Sequence, residues 1–179
     1  MKRTLTVLLL LVLTACSTKR TPSNNSQPAQ QAAANQTSQP SQAAKPQGEL
    51  KEGEASGTII DEGQPVTLKY AYAGNGEMFH EDAVIILLTE TPVSPEELAK
   101  AFEEYGTFPK STRGLEYKVG KGFWVMYHPS SFQTSGINTL KDYALENGIV
   151  KGRDEDSTTF DGKEYKRSVS FVARVPEKK

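Results

Sequence analysis

The chain has 179 residues, with 21 Lys and Arg against 22 Asp and Glu, a formal charge of −1 and 36 % hydrophobic residues. A balance this close to neutral, with no basic stripe and no acidic tract, leaves no electrostatic footprint for nucleic acid. With one cysteine, Cys16, an internal disulfide is excluded.

Lys2 and Arg3 precede an apolar stretch, Leu5 to Leu13, which is too short to cross a bilayer and has the length of a signal-peptide core. It closes on small residues and Cys16. Leu13-Thr14-Ala15-Cys16 resembles the bacterial lipoprotein box. That resemblance implies removal of residues 1–15, a diacylglycerol thioether on Cys16 and usually a third acyl chain on its amine. Two or more acyl chains hold a protein stably on a membrane where one does not, so the partner expected at Cys16 is the bilayer itself. Ser17, where Asp would retain a lipoprotein at the inner membrane, implies the periplasmic face of the outer membrane in a two-membrane host. The alternative is an ordinary secretory cut near Ala15, or an uncleaved anchor, with Cys16 a stray thiol. Loss of Lys2 and Arg3 takes the formal charge from −1 to −3.

From Ser17 to Glu52 the chain holds seven Gln, much Ala, Ser, Thr, Asn and Pro, and a single large aliphatic, Leu50. Such a segment buries too little apolar area to offset its ordering entropy. With Cys16 it forms a predicted disordered linker over 16–52, with a reach of about 30–36 Å. Residues 53–179 are one domain's length, enough to bury roughly two thirds of the unfolded surface.

Within that domain the elements follow in order. Gly57 to Ile60, Asp61-Glu62-Gly63-Gln64 and Val66 to Tyr72 read as a hairpin, with Val66, Leu68, Tyr70 and Tyr72 on one face. Gly74-Asn75-Gly76 reads as a turn cluster. Ala83 to Leu88 is apolar on both parities, the pattern of a strand covered on both faces. Ser94-Pro95-Glu96-Glu97 carries an N-cap, a proline at the first helical position and a capping glutamate, and Leu98, Ala101, Phe102 and Tyr105 continue as an apolar stripe until Gly106. These signals predict one amphipathic helix over about 94–105. Leu115 to Val119, Gly120-Lys121-Gly122 and Phe123 to His128 read as an aromatic hairpin. Residues 129–148 fit either a short helix over Leu140 to Asn147 or a strand entering an Asn147-Gly148 turn. Ile149 to Arg153, a turn at Asp161-Gly162-Lys163 and a long strand ending at Pro176 complete the chain. The fold expected is mainly β, an antiparallel β-sandwich or half-open barrel with one amphipathic helix.

Ser56-Gly57-Thr58, Leu68-Lys69-Tyr70-Ala71-Tyr72-Ala73, Leu87-Leu88-Thr89-Glu90-Thr91-Pro92-Val93 and Phe171-Val172-Ala173-Arg174-Val175 resemble a group of bacterial secreted proteins and lipoproteins. That group has no assigned activity, so the resemblance implies export and no particular chemistry.

The search for chemistry is short. There are two histidines, His80 and His128, and no Gly-x-Ser-x-Gly elbow or Ser-x-x-Lys pair, so neither common route to a hydrolase has a starting point. Zinc lacks a His-Glu-x-x-His motif or paired cysteines. Asp154-Glu155-Asp156 begins like a calcium loop but has Thr159 where glycine must turn and Tyr165 where a glutamate must bind, and reads as a solvated hairpin loop. Gly120-Lys121-Gly122 precedes a strand rather than a helix and makes no phosphate loop. No metal and no cofactor is expected. What remains is a surface. Trp124, Met126 and His128 share one parity, Phe123, Val125 and Tyr127 the other, so one aromatic face must meet the core and the other is free unless the helix covers it. The expected binding surface is Trp124, Tyr127, His128 and Phe132, on a membrane-anchored, non-catalytic envelope module binding an envelope protein or a small ligand. The rivals are an envelope enzyme using His80 or His128 with a carboxylate, and a periplasmic inhibitor or chaperone-like domain.

Overall fold

The computed structural model describes residues 50–103, 106–135 and 139–177. The signal segment, Cys16 and the linker through residue 49 lie outside the described residues, as does Tyr105 of the expected helical stripe. Among the described residues the strands are β1 (Glu54–Asp61), β2 (Gln64–Met78), β3 (Glu81–Thr89), β4 (Gly114–Val119), β5 (Phe123–His128), β6 (Gln133–Thr134), β7 (Leu140–Glu146), β8 (Ile149–Phe160) and β9 (Lys163–Arg174), with one helix, α1 (Pro95–Ala101). They form a single antiparallel sheet in the order β6-β5-β4-β3-β2-β1-β9-β8-β7.

The sheet curls into a half-open barrel. Tyr127 on β5 and Tyr165 on β9 meet edge to face at 5.5 Å, and Tyr117 on β4 meets Phe171 on β9 at 5.7 Å, although β3, β2 and β1 lie between β4 and β9 in the sheet. Only a sheet rolled about its inner face brings these rings together. That face carries the main core, including Ile86, Leu88, Leu115, Tyr117, Val125, Tyr127, Val169 and Phe171, all buried. Alternation explains the selection: Tyr117 opposes Val125 and Leu115 opposes Tyr127 in the β4–β5 ladder, so one parity of each strand turns inward.

The outer face has its own smaller core. Ile85 and Leu87, the second parity of β3, pack with Ala101, Phe108, Leu98 and Phe102. The apolar run on both parities of β3 is therefore a strand with cover on each side. The cap expected at Ser94 is formed, with Glu97 N–H donating to Ser94 Oγ at 3.2 Å and Pro95 opening the helix. The helix is shorter than the stripe predicts, ending at Ala101. Phe102 leaves the helical path at φ −95° and ψ 0° as the C-cap, its ring lying where a side chain at Gly74 would stand, 2.4 Å from a Cβ built there.

Three further expectations are corrected and one open alternative is decided. Gly74-Asn75-Gly76 is not a turn but the interior of β2, where missing side chains admit Phe102 over Gly74 and Ile85 over Gly76. Tyr70 and Tyr72 do not share the buried face of Val66 and Leu68; beyond Leu68 the inner positions pass to Ala71 and Ala73, next to the bulge where β1–β2 register slips between Glu54 and Gly57. Asp154 to Thr158 is not a solvated loop but the middle of β8, with Asp154 fully buried. Of the two readings left open for Leu140 to Asn147, the strand is the one formed, β7 entering a turn at Asn147 (φ 52°) and Gly148 (φ 72°). The sheet leaves two free edges: β6, of two residues, and β7, bulged between Lys141 and Ala144.

Candidate functional site

β2 and β3 are joined by only two residues, Phe79 and His80, with Met78 paired to Glu81 across the turn. Both turn residues are left-handed, Phe79 at φ 55° and His80 at φ 63°. Such a turn matches the twist of a hairpin but favours Asn and Gly; a bulky aromatic there is strained and uncommon. Phe79 is also 69 % exposed, yet its ring leans edge-on against Trp124 at 5.6 Å.

Between this hairpin tip and the outer face of β4 and β5 lies a cleft of about 360 Å³. Met78, Phe79 and His80 form one wall, Trp124 and Met126 the other, and Glu77, Glu116, Lys118 and Gln133 its polar positions. The ladder explains the sheet side of this set, since Lys118 opposes Trp124 and Glu116 opposes Met126. The methyl of Met78 lies over Gly120 and Gly122, at 3.3 and 3.4 Å from the positions their Cβ atoms would take.

Glu116 is the buried charge of the cleft. Its Oε2 is 3.2 Å from His128 Nε2 and its Oε1 is 3.3 Å from Lys118 Nζ. Burial disfavours its ionisation, but the His128 hydrogen bond and the Lys118 charge outweigh burial and hold the carboxyl below its ordinary 4.5. The other side of His128 is stacked flat on Phe108, at 4.0 Å and 7°. The cleft thus joins an apolar, aromatic wall to a carboxylate whose two oxygens are already engaged. None of its lining residues offers a hydroxyl or thiol nucleophile.

A second hollow, of about 610 Å³, opens between Ser130 to Thr134 and the β8–β9 turn. Phe132 stacks there on Tyr165 at 3.8 Å and lies 5.5 Å from Phe160, which is 61 % exposed.

The four residues expected on one surface therefore separate. Trp124 lines the first cleft and Phe132 the second; His128 lies behind Glu116 beneath Phe108. Tyr127 is corrected to the core: at zero exposure on the inner parity it faces Arg167, not solvent. The helix expected to cover the outer aromatic face covers Ile85 and Leu87 instead, and Phe108 after it packs with the same pair and stacks on His128. Met78, Phe79, Glu116 and Lys118 were not expected at the site. The sequence offers no clear signal for them, because Gly74-Asn75-Gly76 competes with Phe79-His80 as the turn between the two apolar strands.

The largest departure from the sequence reading lies inside the barrel. Arg167 and Asp154 are both fully buried and bonded to each other; Arg167 also reaches Asp156 at 2.9 Å, Thr139 Oγ1 at 3.0 Å and the Tyr127 hydroxyl at 3.3 Å. Burial, then the charge of Asp154, holds the Tyr117 phenol well above its ordinary range, and burial pushes Tyr127 up to about 12 despite Arg167. The acidic run that began like a calcium loop is the counter-charge of a buried arginine.

The chain matches no protein-family model, no curated protein and no solved structure.

Proposed function

We propose that this protein is an envelope lipoprotein, anchored through Cys16, whose domain binds a ligand in the cleft between the β2–β3 tip and β5 without catalysis of its own. The observation that carries the reading is Phe79. A strained, left-handed aromatic residue exposed at a hairpin tip is unfavourable for folding, and strain of this kind collects at binding and catalytic sites. Its ring completes a cleft in which an aromatic and thioether wall faces polar side chains, among them Glu77, Glu116, Lys118 and Gln133, so that apolar area and orienting groups meet as a ligand site requires.

The test has two arms. A photoreactive residue at Phe79 or Trp124 in intact cells should capture a specific product, while one at buried Ile59 should not. Recovery of nothing specific from either cleft position rules out a protein or organic ligand in this cleft. Cys16→Ser should leave the membrane fraction; full retention there removes the anchor.

The second reading, an envelope enzyme, rests on the 3.2 Å approach of His128 to Glu116, a carboxylate that lines the cleft. Proton transfer would have to pass through Glu116, because His128 is covered by Phe108. Capture of a chemically altered small molecule, lost in Glu116→Gln, would favour it.

A further inference from the structure

The chain contains three methionines, one tryptophan and two histidines. Both methionines other than the initiator, Met78 and Met126, line the first cleft together with the only tryptophan, Trp124, and one of the histidines, His80. Thioether sulfur and imidazole are ligands with a preference. Met selects soft ions such as copper(I), imidazole accepts the same metal, and an indole face attracts a cation that lies against it.

Resting on the reading of this cleft as a ligand site, we propose that it binds a soft monovalent cation, copper(I), through Met78, Met126 and His80, with Trp124 as the aromatic wall. Two of the three ligands sit on the hairpin tip and one on β5, so the ion ties the tip to the sheet. The glycines at 120 and 122 matter here: they leave room for the end of Met78, and a Cβ at Gly122 would be 3.9 Å from Trp124 Nε1, so Met78 and the indole share that corner. Glu77 and Glu116 also line the cleft and favour a cation there, Glu116 sharing its charge with Lys118 at 3.3 Å. Hard or borderline divalent ions are not served, since among the described residues no three His, Cys, Asp or Glu side chains gather to hold one. The pressure toward such a site also accounts for the strained tip, which a tight Asn-Gly turn would relieve at the loss of a ligand and a wall.

The experiment uses the full chain, with silver(I) as a redox-inert probe and copper(I) competed against a colorimetric chelator. Trp124 emission reports binding without ambiguity. One ion per chain is expected, with a change in Trp124 emission, none from zinc, and the same behaviour in Cys16→Ser. Met78→Leu and Met126→Leu, which conserve volume, should each weaken binding about tenfold or more, and His80→Phe likewise. Unchanged urea midpoints show that the variants fold. Binding that is absent, survives Met78→Leu with Met126→Leu, or disappears in Cys16→Ser overturns the proposal. Photocapture from Phe79 that persists after such a result leaves the cleft as a ligand site of other chemistry; loss of both removes it altogether.

Discussion

Arg167 of β9 donates to the hydroxyl of Tyr127 of β5 at 3.3 Å across the inside of the barrel, although four strands stand between them in the sheet. The guanidinium also holds Asp154 and Asp156, so the polar cluster acts as a crosspiece between the two halves of a rolled sheet.

Removing one member of that cluster leaves an uncompensated charge. Arg167→Met strands the fully buried Asp154 and should lower stability by about 3–5 kcal/mol. Combining it with Asp154→Leu removes the stranded charge and should recover much of the loss. Urea unfolding of the single and double variants measures both, and a double variant no better than the single contradicts the assignment.

At high pH the buried phenols decide. Tyr127 titrates near 12 when folded and near 10 when unfolded, so the folded state retains its proton over that interval. The contribution is fully present below pH 10 and disappears as pH rises through 12. At about 1.4 kcal/mol per pH unit, roughly 2–3 kcal/mol is lost by pH 12, and Tyr117, raised by burial as well, adds to it. An ultraviolet titration should show these phenols ionising together with unfolding, and Tyr127→Phe should soften the alkaline transition.

At low pH the sign reverses. Glu116 is held below 4.5 in the fold by His128 and Lys118 against burial, so its contribution is present above 4.5 and declines as pH falls through the folded value. Glu116→Gln should flatten the acid limb of a stability-against-pH curve while leaving its alkaline limb in place.

Gly57 is fixed by its neighbour's backbone. At φ 130° a Cβ there would lie 2.0 Å from the Ser168 carbonyl oxygen, and a backbone atom in a ladder cannot move aside. Gly57→Ala should destabilise by about 2–4 kcal/mol from combined strain and overpacking, read as a fall in the denaturation midpoint.

The hairpin tip predicts an opposite sign. Phe79→Asn with His80→Gly installs the preferred two-residue turn and should raise stability by about 1 kcal/mol, since relief of left-handed strain exceeds the lost edge contact with Trp124. Binding in the cleft should fall in the same variant. A stabilised protein with unchanged binding would contradict the role given to Phe79.

How much of this was written in the chain depends on the range over which each signal acts. The Ser94 cap, the Asp161-Gly162 turn and the alternation of Leu115, Tyr117 and Val119 are local, and the sequence reads them directly. Gly74 and Gly76 mislead because a glycine that makes room for a ring is indistinguishable in sequence from one that turns the chain. Asp154 misleads likewise, since its partner Arg167 joins it only through the pairing of β8 with β9. The cleft needed the tip of one hairpin laid against the face of another, a juxtaposition that no spacing encodes.

A barrel that fails to close exposes two strips of unpaired backbone, the raw material of fibre growth. Here one strip is only two residues long and the other is broken by a bulge beside Asp142 at φ 53°, so neither offers a continuous template. Neighbouring copies at high local density would thus remain separate molecules, and the gap stays open without seeding polymerisation.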